Sequence, residues 1–109
     1  MTADPRFDPV VHAPLRLQIC AMLAAVESAE FSTVRDALEV SDSVLSKHVK
    51  VLDEAGYLRL RKAVVASRQR TWLALTADGR SALAGHVAEM HRLLDTATDA
   101  APKDRTSRT

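Results

Sequence analysis

The sequence predicts a mainly α domain with a small β element, an α+β arrangement, and three observations carry that reading. Apolar residues recur at three- and four-residue spacing in four separate stretches, around Leu15–Val26, Val34–Leu38, Leu45–Leu52 and Leu83–Leu94. Two short stretches, Tyr57–Arg61 and Arg70–Leu75, alternate instead with period two. The chain has 109 residues, 47% hydrophobic and 27% charged, which suffices for one compact core and is too short for two.

Residues 1–11 read as an N-terminal arm, in which Pro5 and Pro9 interrupt any early helix while Phe7 and Val10 are available for docking. Pro14 suits a first helical turn, and Leu15, Ile19, Met22, Leu23 and Val26 form a buried stripe after it. Phe31 reads as a short extended link. Ser32 then caps a helix to about Glu39, with Val34 and Leu38 facing inward. Val40 and Ser41 make a turn, and the next helix ends near Gly56, a residue that tolerates the left-handed conformation common at helix C-termini.

From Tyr57 to Arg61, Leu58 and Leu60 fall on one side and Arg59 and Arg61 on the other, so a strand begins there. A loop over Ala63–Gln69 connects it to a second strand, RTWLAL, giving a two-stranded β wing. Thr76 caps a long C-terminal helix over residues 77–97, striped by Leu83, Val87, Met90 and Leu94. The polar, proline-containing end of the chain, residues 98–109, reads as a disordered tail. Residues 12–97 are thus the expected domain.

Charge is unevenly spread along the chain. Residues 1–40 hold three basic and six acidic side chains, residues 43–70 hold seven and two, and residues 71–109 hold five of each. Positive potential therefore concentrates on the surface built by the middle segment, which points to a polyanionic partner.

Helix, short helix, tight turn, helix, two-stranded hairpin and long helix is the order of a winged helix-turn-helix domain. In that arrangement the helix starting in SDSVLSKHVKVL enters the major groove of double-stranded DNA. Leu45, Val49 and Leu52 share an inward arc, Ser43, Lys47 and Lys50 lie opposite, and Ser46 flanks them. Short hydroxyls can approach base edges, ammonium groups neutralise phosphates, and no carboxylate follows Asp42 until Asp53. The candidate DNA contacts are Ser43, Ser46, Lys47, His48 and Lys50 on this helix, with Arg61, Arg68 and Arg70 on the hairpin. His48 either touches phosphate or packs at the helix edge.

The segments ALEVSDSVLSKHVKVLDEAGYL and RQRTWLALTADGR resemble the MarR-type and ArsR-type winged helix transcriptional regulators of prokaryotes, in their short, minimal form. The resemblance runs from about His12 to Leu94. It implies a homodimeric repressor or activator on a roughly palindromic operator, without catalytic activity. The cysteine-rich box of ArsR-type metal sensors is missing from Val34–Leu38, and Ala66 stands where many MarR-type wings carry an acid two positions before the tip arginine, here Arg68. Arg68 is therefore expected as a free cation flanked by Arg70. The chain also has little length for the enclosed ligand pocket of larger MarR-type proteins.

Cys20, the only cysteine, reads as a small buried hydrophobe, and Trp72 as a core or wing-root aromatic. His86 with Glu89 and His91 with Asp95 have spacings that place ligands on one helix face, yet a solvated polar face is the plainer reading. The stripe Leu83, Val87, Met90 and Leu94 is expected to pair two copies. No cofactor is implied, no motif supports an enzyme, and no signal peptide or membrane-spanning run is visible, which predicts a cytoplasmic protein. The expected partners are double-stranded DNA, a second copy, and an unidentified small-molecule or metal effector. A metal-responsive regulator and a winged helix used only for protein assembly are the alternative readings.

Overall fold

The computed structural model describes residues 5–100, and the side chains of residues 5–99. The elements in chain order are α1 (Pro9–His12), α2 (Pro14–Ala24), β1 (Ala29–Glu30), α3 (Phe31–Leu38), α4 (Asp42–Glu54), β2 (Leu58–Val65), β3 (Arg68–Leu75) and α5 (Ala77–Ala100). The strands form an antiparallel sheet in the order β1-β3-β2. This is a winged helix fold with a long C-terminal helix.

Caps explain where the predicted helices begin and end. Ser41 Oγ accepts from the Val44 amide at 3.2 Å and opens α4, while Gly56, at φ 81°, turns the chain out of it. Thr76 Oγ1 accepts from the Gly79 amide at 3.0 Å and donates to the Gly56 carbonyl at 2.6 Å, so one side chain opens α5 and ties it to the end of α4. A Cβ at Gly79 would strike the Tyr57 carbonyl oxygen, so glycine is required for this close approach. The next residue, Arg80, donates to the carbonyls of Ala24 and Val26 at 3.1 and 3.2 Å, capping the C-terminal end of α2.

The core lies where α2, α3 and α4 meet the sheet. Ile19 and Leu23 of α2, Val34 of α3, Leu45 and Leu52 of α4, and Leu73 of β3 are all essentially inaccessible. Cys20 joins them, and burial pushes its thiol up to about 11, assisted by Asp8 and opposed by Arg16; it is an inert core residue, as expected.

Several expectations are corrected. Pro9 starts a helical turn instead of preventing one: Asp8 Oδ1 accepts from the amides of Val10 and Val11 at 2.8 and 3.2 Å, and Pro9 needs no partner at the first position. The arm is therefore built into the domain through fully buried Val11, with Val10 only partly buried and Phe7 40% exposed. Phe31 is helical, Glu30 rather than Ser32 precedes α3, and residues 29–30 add a third strand through Ala29↔Leu73 and Glu30↔Trp72. Val26 lies beyond the end of α2 and is 43% exposed.

The expected loop at residues 63–69 is mostly strand. β2 and β3 stay paired to Val65↔Arg68, and only Ala66 and Ser67, both at positive φ (52° and 65°), make the turn. Positive φ at both central residues matches the twist of the flanking strands. Helix α5 continues to Ala100, past the boundary expected near residue 97; the rest of the predicted tail lies outside the described residues. No helix among the described residues is long and apolar enough to cross a membrane.

Candidate nucleic-acid interface

Helix α4 is held on the core by Leu45, Val49 and Leu52, which are 1%, 4% and 0% exposed. That seating leaves Ser43, Ser46, Lys47 and Lys50 exposed, so the four residues expected to face a partner do face solvent. Asp42, the one carboxylate in the first turn, is engaged: Arg35 Nη1 donates to it at 2.8 Å while Arg35 Nε donates to Asp36 at 2.9 Å. Those two carboxylates, Asp36 first, raise the guanidinium pKa and bind α3 to the start of α4. The arrangement neutralises the acid at the start of this exposed cationic face.

Strand alternation decides where the hairpin cations go. Leu58, Leu60 and Lys62 share the face of β2 turned toward α4, and a cleft of about 430 Å³ lies there between the helix and the wing. Ser46 and Lys50 of α4 line one wall, with Leu60, Lys62 and Thr71 opposite. Two ammonium groups, two hydroxyls and the carboxylates of Asp42 and Asp53 thus line a groove open to solvent. Lys62 is the residue that sequence reasoning left out of the site, although its even spacing from Leu58 and Leu60 already put it on this face.

Arg61 and Arg70 are turned to the other face of the sheet. Arg61 lies directly across from Trp72, its guanidinium 5.6 Å from the ring centroid. Arg70 Nη1 donates to both carboxylate oxygens of Glu30 at 3.0 and 3.1 Å, and its buried Nε has no partner. The expectation that Arg70 flanks Arg68 as a second free cation is thus corrected, because β1 brings an acid that local spacing could not reveal. Arg68, immediately after the turn, is exposed and makes no ion pair among the described residues.

His48 is half-buried at the edge of α4, with Nδ1 3.3 Å from Arg16 Nη1. Burial, then Arg16 and Lys47, lower its pKa. The residue is therefore neutral near pH 7.

The His86 reading changes most. This side chain is fully buried, not solvated: Nδ1 accepts from the Asp8 amide at 3.1 Å, and Nε2 lies 3.3 Å from His12 Nδ1. Burial and His12 lower its pKa, with Asp8 opposing. Asp8 also accepts from the Tyr57 hydroxyl, a bond that pushes the phenol up to about 12. Glu89 is paired with Arg92 at 2.6 Å, and His91 and Asp95 are exposed. Among the described residues no group of three or more histidine, cysteine or acidic side chains could hold a metal ion. His86 and Glu89 are therefore committed to internal bonds.

Of the expected pairing stripe on α5, Leu83 packs against the core and Met90 is half-buried, while Val87 and Leu94 are 36% and 60% exposed, with Leu93 at 42% beside them. Leu83 covers this domain, whereas Val87 and Leu94 are uncovered.

The winged helix DNA-binding domain family matches residues 15–94, which take in α2 through most of α5 and both walls of the cleft. The chain belongs to this family. The winged helix protein is 30% identical over 84 residues, 77% of its length and 91% of the relative's, to the uncharacterized protein MJ0432 of Methanocaldococcus jannaschii. Its fold is similar to that of the transcriptional regulator homologue of Pyrococcus horikoshii OT3, with a TM-score of 0.75 and 25% identity over 80% of this chain and 86% of that one. It also shares its fold with ZitR of Lactococcus lactis, a zinc-responsive MarR family member, at TM-score 0.60 and 23% identity, covering 84% of this chain and 62% of that one. The resemblance to small MarR-type regulators thus holds at the level of the whole fold.

Proposed function

We propose that the winged helix protein is a sequence-specific transcriptional regulator that binds a palindromic operator as a homodimer and represses by occupying it. The observation that carries this reading is the outward face of α4, where Ser43, Ser46, Lys47 and Lys50 are exposed with no carboxylate between Asp42 and Asp53, next to a cleft whose far wall adds Lys62. Serines suit base edges and lysines suit phosphates. Arg68 extends the cationic surface to the wing tip.

The uncovered part of α5 supports pairing. Val87, Leu93 and Leu94 are exposed apolar residues on a helix that continues to Ala100, beyond the small core it covers. A two-fold dimer through this surface would present two α4 helices about 34 Å apart, or a multiple of it, to successive major grooves. The cellular site consistent with this function is the cytoplasm.

Selecting bound duplexes from a random pool tests the reading directly. The expected product is an inverted repeat whose half-sites are spaced by whole helical turns, and recovery of no enriched sequence would refute sequence-specific binding. Sedimentation at micromolar concentration is expected to show a dimer that Leu94→Asp shifts toward monomer. A monomeric parent would overturn the paired geometry.

A further inference from the structure

Arg16 of α2 connects the N-terminal turn to the recognition helix. Its Nε donates to the Val10 carbonyl at 2.6 Å, next to buried Val11, which fixes the guanidinium between α1 and α4. Its Nη1 then lies 3.3 Å from His48 Nδ1. A guanidinium has donors only, so the lone pair in this contact belongs to Nδ1. A neutral imidazole with its lone pair on Nδ1 carries its hydrogen on Nε2.

That Nε2 has no protein partner among the described residues and is not among the buried unpaired atoms, so it opens to solvent. Its helix neighbour Lys47 is exposed, on the surface read above as facing DNA. Charging the ring would place a second hydrogen on Nδ1, aimed at a guanidinium. The bond would be lost and two cations would meet. The charged groups acting on the ring are Arg16 from α2 and Lys47 on its own helix, and both resist its protonation, as does burial. Through Arg16, α1 contributes only the Val10 carbonyl.

We propose that Arg16 is a positioning residue that locks His48 into one neutral tautomer, so that Nε2–H donates to a DNA phosphate oxygen without carrying charge to it. The proposal rests on the DNA-binding reading above. A neutral donor fixes the register of the helix on the backbone but releases no counterion, so it differs in kind from Lys47 and Lys50. It also keeps the contact insensitive to pH across the neutral range.

The test is fluorescence anisotropy of the full chain on a selected duplex between pH 6 and 8, at several salt concentrations. His12, His86 and His91 are present in every variant, so differences between variants isolate His48. The parent is expected to bind with a nearly flat pH profile. R16Q removes the Arg16 contribution to resisting protonation and frees Nδ1 to carry a hydrogen, so its affinity should rise as pH falls, with a ceiling of about tenfold per pH unit for one proton. Its salt slope at pH 6 should steepen by roughly one unit. The double variant R16Q/H48Q should be flat again.

A second pair of variants separates the two ring nitrogens whether or not R16Q folds. Glutamine sets an amide N–H near the place of Nε2 and should stay within about threefold of the parent, whereas asparagine reaches only the Nδ1 place and should lose about tenfold at unchanged salt slope. Equal affinities for H48Q and H48N, or a folded R16Q with a flat profile, would overturn the proposal while leaving DNA binding intact. A parent that binds no duplex at any pH would overturn the functional reading and this proposal together.

Discussion

Helix α4 and the β2–β3 wing are the two cationic parts of the surface, and they treat their charges differently. On α4, Lys47 and Lys50 are exposed with no ion pair among the described residues, while Asp42, the acid of the first turn, is held by Arg35. On the wing, Arg61 lies over Trp72 and Arg70 is held by Glu30, so of these and Arg68 only Arg68 remains free of an internal partner. The difference follows from periodicity. A helix of period 3.6 can bury a narrow stripe and leave a broad arc for a partner, whereas a strand sends every second residue to the opposite face. Arg59, Arg61 and Arg70 occupy that opposite face, and only Lys62 turns toward α4.

The largest effect should come from removing what seats α4. Leu52 is fully buried under the helix, so Leu52→Ala is expected to cost about 2–5 kcal/mol of stability in chemical denaturation. In a domain this small such a loss threatens folding itself. A variant as stable as the parent would mean that the helix does not depend on this contact and that its outward face is not fixed by the core.

Next are the outward side chains of α4. Ser43→Ala or Ser46→Ala should weaken specific binding by about 1–3 kcal/mol where the hydroxyl reads a base, with little change on random duplex. Lys47→Ala and Lys50→Ala should instead weaken binding on all sequences, and each should lower the salt slope by roughly one unit. Titrations in which these four variants behave alike would erase the division between reading and neutralising residues.

The paired half of the wing gives a smaller effect on stability than on geometry. The Glu30 and Arg70 side chains are 18% and 35% exposed, so the pair is partly screened and worth about 0.2–1 kcal/mol. Glu30→Gln should lower the thermal midpoint slightly and, by freeing Arg70, raise affinity for random duplex. An unchanged affinity would show that this face of the sheet stays away from DNA even when its cation is released.

The same contrast explains what was legible in the sequence. α4 could be read almost residue by residue, because its stripe and its exit at Gly56 are local signals, although Ser41, read only as part of the turn, is also its cap. The Thr76 cap was visible for the same reason, whereas the need for glycine at position 79 to approach Tyr57 was not. β1 was not readable: two residues have no periodicity, and they become a strand only by pairing with Leu73 and Trp72, over 40 positions away in the chain. Arg70 was misread as a free cation in consequence. The tight turn was missed because Ala66 and Ser67 are not residues that favour positive φ. His86 was placed on a solvated face because a helical wheel for α5 contains no information about Asp8 of the arm or about His12 of α1, which cover it.

Arg68 gives the smallest expected effect and the sharpest test of the wing. It follows the turn directly and has no internal ion pair among the described residues, so its guanidinium is available at the hairpin end. With α4 in a major groove, the hairpin end reaches the neighbouring minor groove, whose negative potential deepens where A·T-rich sequence narrows it. Arg68 should therefore favour A·T-rich flanks outside the half-sites, through shape rather than base identity. Arg68→Ala should reduce the A·T over G·C flank preference, by less than about 1 kcal/mol, and leave the half-site preference unchanged. Competition binding with duplexes that share half-sites and differ only in their flanks measures this. If Arg68→Ala keeps the parental flank preference, the Arg68 guanidinium is a spectator, and flank discrimination does not come from the hairpin end.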